Sequence, residues 1–163
     1  MSYAYLASTP GLQYNYSLYA IPVGWLVGMV PLWWAAPAAQ KYARGSFDNA
    51  NPKDSWQNMD AAAIPLKIKG RIKRANAAQN NTHVNLPLFA ASLVAANAAH
   101  VDSSSLHLYS AIWVLSRIAY TLAYIFIEDR KKSAIRSALF GVGVISCFAL
   151  IIKAAQKYSA LPW

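Results

Sequence analysis

An arginine inside an apolar segment is the residue of this sequence best placed to do chemistry. Arg117 is the one charge between Leu106 and Ile127, and a charge near the bilayer centre costs at least about 2.5 kcal/mol. All six acidic residues lie in predicted loops or at helix ends. We predict that Arg117 faces the protein interior, contacts amides of the preceding helix, and relies on neutral oxygens, water or an anionic ligand. A structural arginine bonded to carbonyls and amides between helices is the alternative.

Other polar residues converge with Arg117 at helical spacing. Tyr120 and Tyr124 follow it by three and seven residues, on the same helix face. The preceding helix carries a second set on one face, namely Arg74, Asn81 and Asn85, with Asn80 and His83 beside them. An amide without a partner in hydrocarbon costs several kcal/mol, so these side chains should point inward. Together with Arg136 and Ser137 at the head of the last helix, they predict an anion-binding pocket. The alternative interpretation of each residue taken alone is a hydrogen-bonding contact between helices.

The apolar segments that must hold these residues predict an all-α integral membrane protein. The chain has 163 residues, of which 56% are hydrophobic and 13% charged, which is too apolar for a soluble domain of this size. We predict one domain over residues 1–163, a four-helix bundle with spans at about 16–39, 75–99, 106–127 and 133–155. The second span has a polar first half, and Pro87 should kink it beside Asn81.

Charge is distributed unevenly between the two predicted membrane sides. The loop from Gln40 to Lys73, the start of the second helix and the region from Arg130 to Arg136 hold twelve of the 15 cations, whereas two follow the last span. Both termini of this multi-pass chain are therefore predicted to be non-cytosolic. The charges lie between apolar runs, which favours a lipid bilayer over nucleic acid as partner. Three histidines without ligand spacing and a single apolar Cys147 predict no metal site.

Two motifs resemble those of one membrane family. Residues 74–89 read R-A-x-x-A-Q-x-N-x-x-V-x-x-P-x-F, and Arg117-x-x-Tyr120-x-x-x-Tyr124 follows. The first is similar to R-A-x-x-A-H-x-N-x-x-E-x-x-P-x-F, the second-helix signature of the MAPEG family (membrane-associated proteins in eicosanoid and glutathione metabolism). The second motif resembles the family's third-helix motif. The resemblance implies a homotrimer, in the endoplasmic reticulum membrane if the source is eukaryotic. It also implies glutathione bound between subunits, and conjugation, peroxide reduction or isomerisation of lipophilic substrates.

The resemblance also implies roles for particular residues. By motif position, the glutathione site would be lined by Arg74, Asn81, Arg117, Tyr120 and Tyr124, to which the helical faces add Asn85 and Ser137. The cation that activates the thiol is Lys131 by its spacing from Tyr124, or Arg136 by the local string Ile135-Arg136-Ser137. We favour Arg136 because an arginine stays charged. Such a cation lowers the thiol pKa from about 8.5 toward neutrality. Arg136, Tyr124 and His83 are the catalytic candidates.

Two departures from the motif leave other functions open. The family's His is Gln79 here, and its Glu, which commonly holds the amino group of glutathione, is Val84. Asn85 could supply a substitute acceptor. Some relatives have one more residue between the Asn and the Pro of the motif. In that alignment Asn80 takes the place of the motif Asn, and His83 takes the place of the Glu. One alternative is therefore a glutathione-independent isomerase or cyclase of a hydrophobic metabolite, with Tyr and His83 as acid or base. The other is a non-catalytic lipid-binding scaffold.

Overall fold

Helices account for the regular structure of the part of the chain that can be described. A computed structural model describes residues 14–129 and 131–160, except for the side chain of Lys131. Within these residues the α-helices are α1 (Ala20–Tyr42), α2 (Pro52–Gln57), α3 (Leu66–Ala98), α4 (Ser103–Phe126) and α5 (Ala134–Ser159). Short 3-10 turns lie at Ser17–Tyr19, Asn58–Asp60 and Lys131–Ser133, and no strand occurs in the described ranges. The predicted all-α class is confirmed.

Three of these segments are long and apolar enough to cross a membrane, namely Ser17–Tyr42, Ser103–Phe126 and Ala134–Ser159. The remaining long helix, α3, has 33 residues and is therefore about 50 Å long. It starts at Leu66, ahead of the predicted span start at 75, because the basic segment from Lys67 to Arg74 is helical as well. Pro65 lies immediately before this helix, where its missing N–H costs no helical hydrogen bond.

The helix α3 is central to the packing. It contacts α1, α4 and α5, while α4 also packs on α5 and α1. The ring of Phe89 stacks on that of Trp113 with 4.0 Å between centroids, inside a core that also includes Leu93, Leu106 and Leu150. Gly24 allows α1 to lie close to Trp113, because a Cβ at position 24 would lie 2.6 Å from Cζ3 of that ring. Each long helix thus buries an apolar face against α3 or α4.

The first loop is folded onto the end of the molecule that carries the basic residues. Phe47 and Trp56 pack their rings 4.8 Å apart, and Met59 is buried in a second core with Ile72 and Ile125. Lys73 donates a hydrogen bond to Asp60 (Nζ–Oδ2 2.6 Å), which together with the positive charge lowers the pKa of that carboxyl. This contact fastens the loop to the start of α3. The loop thus has a helix of its own, α2, and packs on the rest of the molecule.

Polar contacts also fasten the opposite end of the molecule, where α1 begins and α3 ends. Asn15 donates to Oδ1 of Asn97 (2.6 Å), and Asn97 donates to Oγ of Ser17 (3.2 Å), so the segment before α1 is held to the end of α3. The carboxylate of Asp102 accepts from the backbone N–H of Ser105 at 2.7 Å, and this N-cap bond lowers the pKa of Asp102. Both ends of the packed helices are therefore fixed by side chains.

Candidate functional site

A cavity of about 370 Å³ opens where α3, α4 and the start of α5 meet. Its lining residues are Asn81, Tyr120, Tyr124, Ser133, Arg136, Ser137 and Phe140. Five of them were predicted site residues from three different helices, and helical spacing alone indicated their convergence. Ser133 and Phe140 were missed, although they lie three residues before and four residues after Arg136, a spacing that puts them on the same side of the chain as Arg136.

Hydrogen bonding orients the phenol of Tyr120. Nδ2 of Asn81 donates to the Tyr120 hydroxyl oxygen at 2.8 Å, so the hydroxyl proton is directed elsewhere. The rings of Tyr120 and Tyr124 lie 5.3 Å apart, and both line the cavity. The arrangement leaves Tyr120 able to donate a hydrogen bond to an acceptor in the cavity.

Arg136 supplies the positive charge of the cavity. Its Cζ lies 4.7 Å from the ring centroid of Tyr124, and its Nη2 donates to the carbonyl oxygen of Ile127. The guanidinium is thus fixed by α4 although it belongs to α5. Among the described lining residues there is no carboxylate, so the field in the cavity favours an anion.

Arg117 is fully buried and does not line the cavity. Its Nη2 donates to the carbonyl oxygen of Phe140 at 3.0 Å, and its Cζ lies 4.8 Å from the Phe140 ring centroid and 5.5 Å from that of Tyr120. Reliance on a neutral oxygen is confirmed. The predicted contact with amides of α3 is wrong, since this hydrogen bond reaches α5 instead. Arg117 supports the cavity from behind, through the two rings that line it.

Gly143 makes room for this arginine. A Cβ at that position would lie 2.3 Å from Nη2 of Arg117 and 2.8 Å from Oγ of Ser116. Neither Nε nor Nη1 of Arg117 has a hydrogen-bond partner among the described residues, so the Phe140 carbonyl is a principal polar contact. Sequence reasoning missed Gly143, because nothing in its own surroundings marks it as the neighbour of a residue 26 positions earlier.

Arg74 lies outside the cavity, paired with an acid. Its Nη2 donates to Oε1 of Glu128 at 2.8 Å, and its Nε donates to the Ile125 carbonyl at 3.1 Å. The Nε of Arg71 lies 3.9 Å from the same carboxylate oxygen. The signal for this pairing was available, since the start of the second predicted span and the end of the third lie on the same side of the membrane.

Two further predicted residues, Asn85 and His83, also lie elsewhere. Nδ2 of Asn85 donates to the carbonyl of Asn81 on its own helix, at 2.8 Å. His83 lies between α1 and α3, with Nδ1 3.0 Å from the Gln79 carbonyl and its ring edge-on to Trp25. The side chain of Lys131 is outside the described part. Neither Asn85 nor His83 is a lining residue of the cavity.

The residue at the altered motif position faces outward. Val84 is 77% exposed, which places it on the side of α3 that faces away from α1, α4 and α5. Cys147 is buried in the core, beside Leu150 and Trp113, and is not a lining residue of the cavity. No cluster of three or more metal-binding side chains occurs in the ranges that the structure describes.

Comparison with known proteins gives one match. The family model described as "MAPEG family" matches residues 19–156, a range that contains every lining residue of the cavity. No curated protein and no solved structure matches the chain. The match covers most of the sequence and includes both motifs from which the resemblance was first drawn.

The packing of Arg117 against Gly143 predicts the effect of a single methyl group. Gly143→Ala should lower the free energy of unfolding by about 1 to 3 kcal/mol, because overpacking displaces the guanidinium from Phe140. Gly141→Ala is the matched control, since a Cβ there meets nothing within 4 Å; it should be neutral or stabilising by up to about 1 kcal/mol. Thermal unfolding in one detergent compares the two. Equal stability of both variants would show that Arg117 has room to move.

Proposed function

The chain belongs to the MAPEG family, and on that basis we propose that it is a membrane-bound, glutathione-dependent transferase, peroxidase or isomerase acting on lipophilic substrates. Family membership and three helices of membrane-spanning length make it an integral membrane protein. The observation that supports the proposed chemistry is the cavity in which Arg136, Tyr124 and the Asn81–Tyr120 pair come together.

The proposed mechanism uses the charge of Arg136. A guanidinium beside the sulfur stabilises the thiolate over the thiol, and the proton leaves to solvent. Bound glutathione would supply this thiolate for addition to an electrophilic carbon with release of its leaving group. It would likewise supply it for attack on a peroxide oxygen, which breaks the O–O bond and releases an alcohol, and a second glutathione would then reduce the oxidised sulfur to the disulfide. Tyr124, whose ring lies under the Arg136 guanidinium, and Tyr120 donate hydrogen bonds to the sulfur or to the oxygen that gains negative charge. Arg136 is preferred to Lys131 because its guanidinium is fixed at the Ile127 carbonyl.

The cavity fits the anionic groups of glutathione better than its ammonium group. Arg136 lines it and no described lining residue is a carboxylate, so an amino group finds only neutral partners there. Val84 cannot accept a hydrogen bond, and the amide of Asn85, whose Nδ2 donates to its own helix, offers only a neutral oxygen. Charge-assisted hydrogen bonds are roughly twice as strong as neutral ones. We therefore propose weaker glutathione binding than in relatives that keep the Glu.

We propose a homotrimer in which α3 helices meet. The outward face of α3 holds a series of exposed residues at alternating steps of four and three, namely Asn80, Val84, Pro87, Ala91, Val94 and Ala98. This repeat is typical of a helix–helix seam, and its alanines allow close approach. Because Val84 belongs to the series, a ligand held between subunits would contact the altered motif position.

The proposed topology has four spans, the polar start of α3 projecting toward the basic side. Both termini are then non-cytosolic, because most cations lie in the loops at the other end. In a eukaryotic source the endoplasmic reticulum membrane is the proposed location.

A non-catalytic lipid-binding scaffold is the second candidate. Two observations favour it: the salt bridge that engages Arg74 with Glu128, and Val84 at the Glu position. The glutathione-independent isomerase has less support, since His83 lies outside the cavity and its ring faces Trp25 of α1. Glutathione dependence of the purified protein separates the three.

Removing the charge of Arg136 should remove thiol activation. With glutathione and a panel of electrophiles and lipid hydroperoxides, Arg136→Gln should lose about 100-fold in kcat, as for one oxyanion-stabilising donor. The pH at which bound thiolate appears in the ultraviolet spectrum should rise. Arg136→Lys should retain part of both properties, and exposed Lys132→Gln should change neither.

Measurements on the wild-type protein decide between the candidate functions. Wild-type turnover that is unchanged without glutathione would support the isomerase. Absence of turnover together with tight binding of a lipophile would support the scaffold.

Restoring the motif carboxylate should tighten glutathione binding. Val84→Glu supplies a charged acceptor for the amino group, worth about 1 to 2 kcal/mol on the scale of charged hydrogen bonds. Val84→Gln is the matched control, because it has nearly the same shape without the charge. Calorimetry in detergent should show the tightest glutathione binding for Val84→Glu, weaker binding for Val84→Gln and the weakest for wild type. If neither wild type nor Val84→Glu binds glutathione, the cavity serves another ligand.

A bulky residue in the proposed seam should dissociate the trimer. Ala91→Trp places an indole where helices approach closely, so monomers should replace trimers in native mass spectrometry. Ala111→Trp is the control, since Ala111 is an exposed alanine of α4 outside the seam. A monomer or dimer in the wild-type protein would refute the trimer directly.

A further inference from the structure

A second cavity of about 370 Å³ lies on the outer surface of α1, near its end. Its lining residues are Trp33, Trp34, Pro37, Ala38, Lys41, Tyr42 and Ile68. None of these lines the cavity around Arg136, and the MAPEG motifs of α3 and α4 do not include them. We refer to these seven residues as the aromatic groove.

The groove has an apolar base and aromatic walls. Ala38 and Ile68 are half-buried and pack on the core cluster that holds Ala35, Ile72 and Ile125, so its base is fixed by the fold. Trp33, Trp34 and Tyr42 are 52%, 43% and 45% exposed, and they project from the helix around that base. Exposed indole and phenol rings at the end of an apolar helix are typical of the headgroup level of a bilayer.

The polar part of the groove is a cation. Lys41 is exposed, and no acidic residue is among the described residues that line the groove. Arg44 and Lys67 lie close in sequence to Tyr42 and Ile68, so the surroundings are basic as well. The apolar base matches an acyl chain, and the aromatic walls match a glycerol region. The ammonium of Lys41, which no described lining residue opposes, matches a phosphate.

From this complementarity we infer that the aromatic groove is a binding site for one anionic glycerophospholipid of the leaflet beside the basic loops. The acyl chain packs on Ala38 and Ile68, the glycerol region contacts the indoles, and Lys41 binds the anionic headgroup. A zwitterionic lipid offers the same chain and glycerol but carries no net negative charge to attract Lys41. The groove should therefore select for charge as well as for shape.

Lipid competition tests this site on the full-length protein. Purified protein in a mild detergent is mixed with equal amounts of phosphatidylserine and phosphatidylcholine of identical acyl chains, and bound lipids are counted by native mass spectrometry. Wild type should retain phosphatidylserine about five-fold over phosphatidylcholine, the preference that one cation at an anionic surface supplies. Lys41→Gln should reduce the ratio to about one, Lys41→Arg should preserve it, and Trp34→Leu should lower retention of both lipids.

A second lysine separates the groove from general surface charge. Lys53→Gln removes an exposed cation of the same loop side that is not a groove residue, and it should leave the ratio unchanged. No preference in the wild-type protein would overturn the proposal. So would a preference that survives Lys41→Gln, or one that Lys53→Gln reduces as much as Lys41→Gln does.

Discussion

The burial of one guanidinium constrains much of the arrangement around the site. Arg117 has no exposed surface in a helix that is apolar enough to cross a membrane, and a charge placed there is costly unless polar groups and ring faces surround it. The fold supplies them from two helices. The carbonyl of Phe140 comes from α5, and the ring of Tyr120 comes from α4. Gly143 keeps α5 close enough for the Phe140 carbonyl to reach the guanidinium.

The cavity depends on that same packing. Tyr120 and Phe140 contact Arg117 on one side and line the cavity on the other. A shift of the guanidinium would therefore move two walls at once, even though Arg117 is not a lining residue. Arg136 also lines the cavity, whereas Arg117 does not. One arginine fixes the helices, and the other remains available to a ligand.

Helical spacing predicted the convergence of polar residues but not the partners of each one. Residues three and four apart share one face within a helix, and the packing of α3, α4 and α5 then brings Asn81, Tyr120, Tyr124, Arg136 and Ser137 to one cavity. The salt bridge between Arg74 and Glu128 was missed, since it joins the early part of α3 to the residues after α4. His83 was placed with the site by sequence, yet its ring turns toward α1. Periodicity gives the face of a helix, whereas the neighbour that covers each part of that face is decided by tertiary packing.

The distribution of cations explains why a single arginine is central to the proposed chemistry. Three arginines match the motifs or the local string of the last helix, but their surroundings differ. Arg117 is enclosed by rings, and Arg74 is neutralised by Glu128. Arg136 is held at its edge by the Ile127 carbonyl while its guanidinium lies over Tyr124. An anionic ligand in this cavity therefore meets a cation that no acidic lining residue opposes, beside two phenols that can donate hydrogen bonds. A cationic ligand meets no counter-charge among the described lining residues. This asymmetry, more than the motif itself, is the physical reason to expect a thiolate or another anion at the site.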